Sequence, residues 1–204
     1  MYKLLVLLGV AVALVGCSAV KQTVGIPTQS LNNVAYTVLS DSSLVNGGTN
    51  VSGNGTIIFN APLSSISSGH SYALTFTLQN NGSLTLASHS SNALANAFSV
   101  KFLREGSVLK VSMIASGTTK DISSSFSSVS AIAPITLQID IHNDESPVHM
   151  LAWTGSVYTE TAAAFNSEES GNESPGNGMG QYWGLVLAGA KVTNAVVGDA
   201  KFSD

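Results

Sequence analysis

Short runs with alternating apolar residues fill this chain beyond about position 33, and they leave it little choice of fold. Tyr72, Leu74, Phe76 and Leu78 alternate with Ala73, Thr75 and Thr77. Phe98, Val100 and Phe102 alternate with Ser99 and Lys101, and Leu109, Val111 and Met113 with Lys110 and Ser112. Ile135, Leu137, Ile139 and Ile141 alternate with Thr136, Gln138, Asp140 and His142. A period of two belongs to a β-strand with one face buried and the other wet. Gly, Asn and Ser separate the runs, and Asn81-Gly82, Glu105-Gly106 and Ser116-Gly117 carry turn chemistry. Asn-Gly predicts a hairpin, because both residues tolerate positive φ. No sustained helical stripe is present; Ala162 to Phe165 is long enough for one helical turn. About 10 to 13 strands in one domain predict an all-β fold, two antiparallel sheets packed as a sandwich.

Only 10% of residues are charged, and the net charge is −4. Solubility must come from Ser, Thr, Asn and Gly. Mild acidity argues against a nucleic-acid partner, since phosphate binding needs a basic patch. A single cysteine excludes an internal disulfide, so the core must hold the domain alone. Residues 166–181, with Glu168, Glu169, Glu173 and Pro175 among several glycines, break the strand rhythm and read as a long exposed loop.

The N-terminus combines Lys3, an apolar run from Leu4 to Val15, the small residue Gly16, and Cys17 followed by Ser18. The run is shorter than the roughly 20 residues a spanning helix needs, and it fits a secretory signal instead. Leu14-Val15-Gly16-Cys17 resembles the lipobox of bacterial lipoproteins. The resemblance implies cleavage after Gly16 and acylation of Cys17. Residues 1–16 would be the signal peptide, 17–33 a lipidated tether containing Gly25 and Pro27, and 34–204 the β-sandwich domain. Two or three acyl chains on one residue anchor a protein stably where one does not. Ser18, rather than aspartate, at the position after the cysteine implies the outer membrane.

The densest group of reactive side chains is Gln138-Ile139-Asp140-Ile141-His142-Asn143-Asp144-Glu145, followed by His149. Residues two apart on a strand share a face about 6.6 to 6.8 Å apart, so Gln138, Asp140 and His142 line one side. An antiparallel return through Val148 to Trp153 would bring His149 beside them. This segment resembles the metal-binding strand and loop of L-type, legume-like lectins in the concanavalin A-like superfamily, a jelly-roll sandwich. The resemblance implies a calcium site at Asp140, Asn143, Asp144 and His149, with Gln138 where the lectins carry a carboxylate. Calcium takes six to eight oxygens, which these residues supply only in part. Tyr182 to Gly189 resembles the penultimate strand of those lectins, and Val192 to Phe202 their closing strands. The competing reading is a solvated strand end with no metal.

Glucanases of the same superfamily carry a Glu-x-Asp-x-Glu strand. Gln138-x-Asp140-x-His142 has that register without the outer carboxylates, and an amide cannot be a glycosidase nucleophile. No serine elbow, zinc helix or phosphate loop is present, and His70, His89, His142 and His149 match no metal-ligand spacing. The chain is therefore expected not to be an enzyme. Trp153 and Tyr182 are the aromatic candidates for stacking on a sugar, while Trp183 shares its strand face with Leu185 and Leu187 and reads as core. The function expected is glycan binding by an envelope lipoprotein, with Asp140, His142, Asn143, Trp153 and Tyr182 as ligand-binding residues. The rival readings are a structural or protein-interaction lipoprotein of the envelope, or a degenerate glycoside hydrolase.

Overall fold

The computed structural model describes residues 29–60, 63, 70–90, 93–94, 98–115, 118–141, 148–154, 157–163 and 182–199. For residues 140–141, 148–154 and 157–163 it describes backbone course and register. Twelve strands make up the described fold: β1 (Gln29–Leu31), β2 (Val34–Asp41), β3 (Val45–Asn46), β4 (Val51–Phe59), β5 (His70–Ser90), β6 (Phe98–Glu105), β7 (Val108–Ala115), β8 (Thr118–Asp121), β9 (Ile135–Ile141), β10 (Val148–Thr154), β11 (Val157–Ala163) and β12 (Tyr182–Asp199). One 3-10 turn, Ser123–Phe126, follows β8. All pairings are antiparallel.

Two long strands organise the molecule. β5 and β12 pair along their whole lengths, from Asp199 opposite His70 to Tyr182 opposite Ser90. The other edge of β5 changes partner half-way. His70 to Phe76 pair with β9, and Ser83 to Ser88 pair with β6. One layer therefore runs β1-β2-β4-β12-β5-β6-β7-β8, and the second continues from β5 through β9 and β10 to β11. The β5–β12 ribbon passes from one layer into the other.

The bend sits where the sequence predicts a hairpin. Asn81 has φ 60° and Gly189 φ 61°, and residues 79–82 bulge opposite Gly189. A Cβ on Gly82 would lie 2.6 Å from the Gly189 carbonyl oxygen, so only glycine fits. The left-handed residue therefore bends one strand, as bulges do, and does not reverse the chain. Among the described residues β5 has no strand partner on that edge between Phe76 and Ser83. There the Arg104 guanidinium donates to the Leu78 carbonyl at 2.9 Å, and the Asn80 side chain accepts from the Gly106 amide at 2.9 Å. Both bonds tie the bend to the β6–β7 turn, where Gly106 (φ 63°) fulfils the predicted Glu105-Gly106 signal.

The alternation reads directly onto burial. Tyr72, Leu74, Phe76 and Leu78 of β5 are buried, as are Phe98, Val100 and Phe102 of β6, Leu109, Val111 and Met113 of β7, and Ile135, Leu137 and Ile139 of β9. Rings join the layers. Trp183 is fully buried and stacks on Phe59 at 3.8 Å, and Tyr72 of the second layer meets it at 5.5 Å. Phe76 packs on Phe102 at 5.3 Å. Tyr72 Oη and Ser88 Oγ, from the two ends of β5, hydrogen-bond in the interior, and burial holds the Tyr72 phenol well above its ordinary range.

Three further expectations change. The body begins before position 34: Gln29–Leu31 pairs with β2, and Leu31 is fully buried, because an apolar residue next to a sheet edge is better packed than solvated. Ala162 and Ala163 lie on β11 rather than in a helical turn, their backbone groups paired with β10. Tyr182 to Asp199 is one bent strand rather than separate penultimate and closing strands.

Candidate functional site

The three-strand end of the second layer, β9-β10-β11, carries three of the sequence-predicted site residues, Asp140, His149 and Trp153. Its register is settled by the core. Ile135, Leu137 and Ile139 point inward, and Thr136 and Gln138 between them are half-exposed, so they mark the outer face. Gln138 Nε2 donates to Ser71 Oγ at 2.7 Å, joining β9 to β5 on that side. Thr75 and Thr136 hydroxyls meet at 3.2 Å one step along.

Cross-strand partners then form rows on this face. Asp140 lies opposite Ser71 on β5 and His149 on β10. Gln138 lies opposite Leu151, which in turn lies opposite Glu160 of β11. Thr136 lies opposite Trp153, itself opposite Tyr158. The antiparallel return of Val148–Thr154 thus places His149 beside Asp140 and brings Trp153 into the row of Thr136. His142, Asn143 and Asp144 lie outside the described residues. Tyr182 stands apart: it opens β12 opposite Ser90, in the first layer, and is half-buried.

Tyr158 and Glu160 were not singled out from sequence. Val157–Ala163 shows only weak alternation, and the signal that identifies both residues is their pairing with β10. A glycan site built on a sheet face needs an apolar ring surface with hydrogen-bonding groups beside it. The Thr136–Trp153–Tyr158 row and the neighbouring Gln138–Leu151–Glu160 row juxtapose those residue types about 6.7 Å apart.

The calcium expectation meets a mixed donor set. Asp140 and His149 hold opposed positions, but Gln138 replaces a carboxylate and its amide nitrogen is engaged with Ser71. Among the described residues no group of three or more His, Cys, Asp or Glu could hold a metal. No described helix is long and apolar enough to cross a membrane.

A concavity of about 670 Å³ lies in the first layer, at β7, β8 and the 3-10 turn, and includes Ser107, Lys110, Asp121, Ser123 and Phe126. Ser123 donates to Asp121 Oδ1 through its hydroxyl and, at 2.8 Å, through its amide. These bonds, with Lys110 nearby, hold the exposed Asp121 carboxyl below its ordinary range. The Ser123 hydroxyl also accepts from the Val111 amide at 2.9 Å, pinning the turn to β7.

No protein-family model matches this chain, and no curated protein matches it. Among solved structures, the carbohydrate-binding module CBM66 from Bacillus subtilis is similar at 12% identity and TM-score 0.52, over 83% of this chain and 99% of that one. The legume lectin-like domain from Entamoeba histolytica is similar at 8% identity and TM-score 0.52, over 81% of this chain and 90% of that one. At these identities the likeness is one of fold. The chain has the antiparallel β-sandwich fold of concanavalin A-like lectin and carbohydrate-binding domains.

Proposed function

We propose that this protein is a non-catalytic, glycan-binding lipoprotein of the bacterial cell envelope. The observation that carries the binding half is the row in which Thr136, Trp153 and Tyr158 pair across β9, β10 and β11, beside Gln138, Asp140, His149 and Glu160. Fold alone does not fix function, so it is this row, on a fold shared with a carbohydrate-binding module and a lectin-like domain, that supports the reading. The aromatic residue at the concavity beside Asp121, Phe126, is buried in the core rather than presented to a ligand, so that concavity is the lesser candidate. Hydrolysis is disfavoured because Gln138 stands where a carboxylate would have to attack.

The anchoring half rests on Leu14 to Cys17. Acylated Cys17 holds the domain at the outer membrane, with residues beyond it spacing domain from lipid. A calcium ion at Asp140, Asn143, Asp144 and His149 completes the lectin-like version of the site.

The test is a glycan array probed with the full chain in lauryldimethylamine oxide, a detergent without sugar. Selective retention of glycans supports the reading, and no retention removes it in favour of a structural or protein-interaction lipoprotein. Palmitate incorporation that disappears in Cys17→Ala supports the anchor, and equal labelling of both removes it. A ligand of the native state raises the melting temperature by mass action. Excess calcium should therefore raise it and chelator reverse the rise; no change with either removes the ion.

A further inference from the structure

Charge is divided unevenly along this chain. Between Lys120 and Lys191 there is no lysine or arginine, whereas eight of the chain's 12 acidic residues fall there. That stretch supplies β9, β10 and β11 in full, together with the segments joining them. The described cations cluster instead on the first layer, at Lys101, Arg104, Lys110 and Lys120 on β6, β7 and β8. In sheet order, the described cation on the second layer is Lys191, opposite Thr77 on β5.

We infer that the β9-β10-β11 face selects uncharged and amine-bearing glycans and rejects uronate-bearing or sulfated ones. This deepens the proposed function and rests on it. Glu160 lies on the row next to the one that carries Trp153 and Tyr158, Asp140 lies on the row beyond that, and no cationic side chain other than histidine shares these three rows. In sequence, residues 142–147 and 164–181 contain carboxylates and no lysine or arginine. Lys191 sits three strands from β10, about 14 Å at the usual strand spacing, beyond the screening length of about 8 Å at physiological salt. An anionic sugar laid on this face would meet like charge with no lysine or arginine among the described residues of these rows to neutralise it. An ammonium group would meet opposite charge, and a pair of unit charges about 4 Å apart in water is worth roughly a fivefold change in affinity.

The experiment is the array of neutral, amine-bearing, uronate-bearing and sulfated glycans, probed with the full chain at about 20 mM and about 300 mM salt, across which screening rises steeply. The expected result is a bound set confined to neutral and amine-bearing glycans, with the preference for amines over neutral analogues falling as salt rises. In Glu160→Gln that preference should fall by about fivefold at low salt. Retention of uronate-bearing or sulfated glycans at low salt, as strongly as their neutral analogues, overturns the charge selection while leaving glycan binding in place. An amine preference equal in Glu160→Gln and the native chain also overturns it. Retention of no glycan of any charge overturns the proposed function itself.

Discussion

Removing the Tyr72 hydroxyl tests whether β5 folds over on itself as described. Tyr72 and Ser88 lie on opposite layers, both fully buried, and their hydroxyls meet. Tyr72→Phe deletes one buried hydrogen bond, a net loss of about 0.5–1.5 kcal/mol, and leaves the Ser88 hydroxyl short of a partner, at about 1–3 kcal/mol if it finds none. Ser88 keeps a further contact, so the cost should fall near the low end, ~1–2 kcal/mol. For a domain of this size that lowers the melting temperature by roughly 2–8 °C. Ser88→Ala should cost a similar amount. Replacing both partners removes the unsatisfied group, so the double variant should be no worse than the weaker single, with a coupling near 1 kcal/mol. Thermal and urea unfolding of the four proteins measures it. Additive losses would mean that the hydroxyls do not touch, and that the two halves of β5 are not stacked across the core.

Gly184→Ala should destabilise by at least about 1–3 kcal/mol, because its Cβ would stand 2.3 Å from the Ile57 carbonyl oxygen and 2.8 Å from Leu94. Gly198→Ala, with nothing within 4 Å, is the control and should change stability by less than about 1 kcal/mol, checked by the same unfolding curves. Asp121 should titrate below its ordinary range by carboxyl NMR, and Ser123→Ala should move it back upward. Because the folded value is depressed, the stabilisation linked to Asp121 is present above the unfolded value and fades as pH falls through the folded one. Asp121→Asn should flatten that acidic limb; an unchanged limb would refute the linkage.

The strands were legible because one face of each is buried, and burial imposes a period of two on sequence. The same rule identified Trp183 as core before its stack on Phe59 was visible. Asn81-Gly82 misled because positive φ specifies a local bend, and whether the chain then reverses depends on partners far away in sequence. Here Gly189 lies opposite the bulge and Arg104 caps the Leu78 carbonyl, contacts no local pattern encodes. Leu31 was missed because three residues carry no measurable period. Asp140 and His149 could be paired from sequence, since a short connection makes antiparallel neighbours. Tyr158 and Glu160 could not, since their value lies in register with Trp153 and Leu151.

The most direct measurement is the affinity of Trp153→Ala and Tyr158→Ala for the glycan retained best by the native chain, with melting temperatures taken alongside. If the β9-β10-β11 face is the binding surface, each variant should lose at least about tenfold in Kd, roughly 1.4 kcal/mol, while remaining folded. Folded variants that bind that glycan as tightly as the native chain would contradict the assignment.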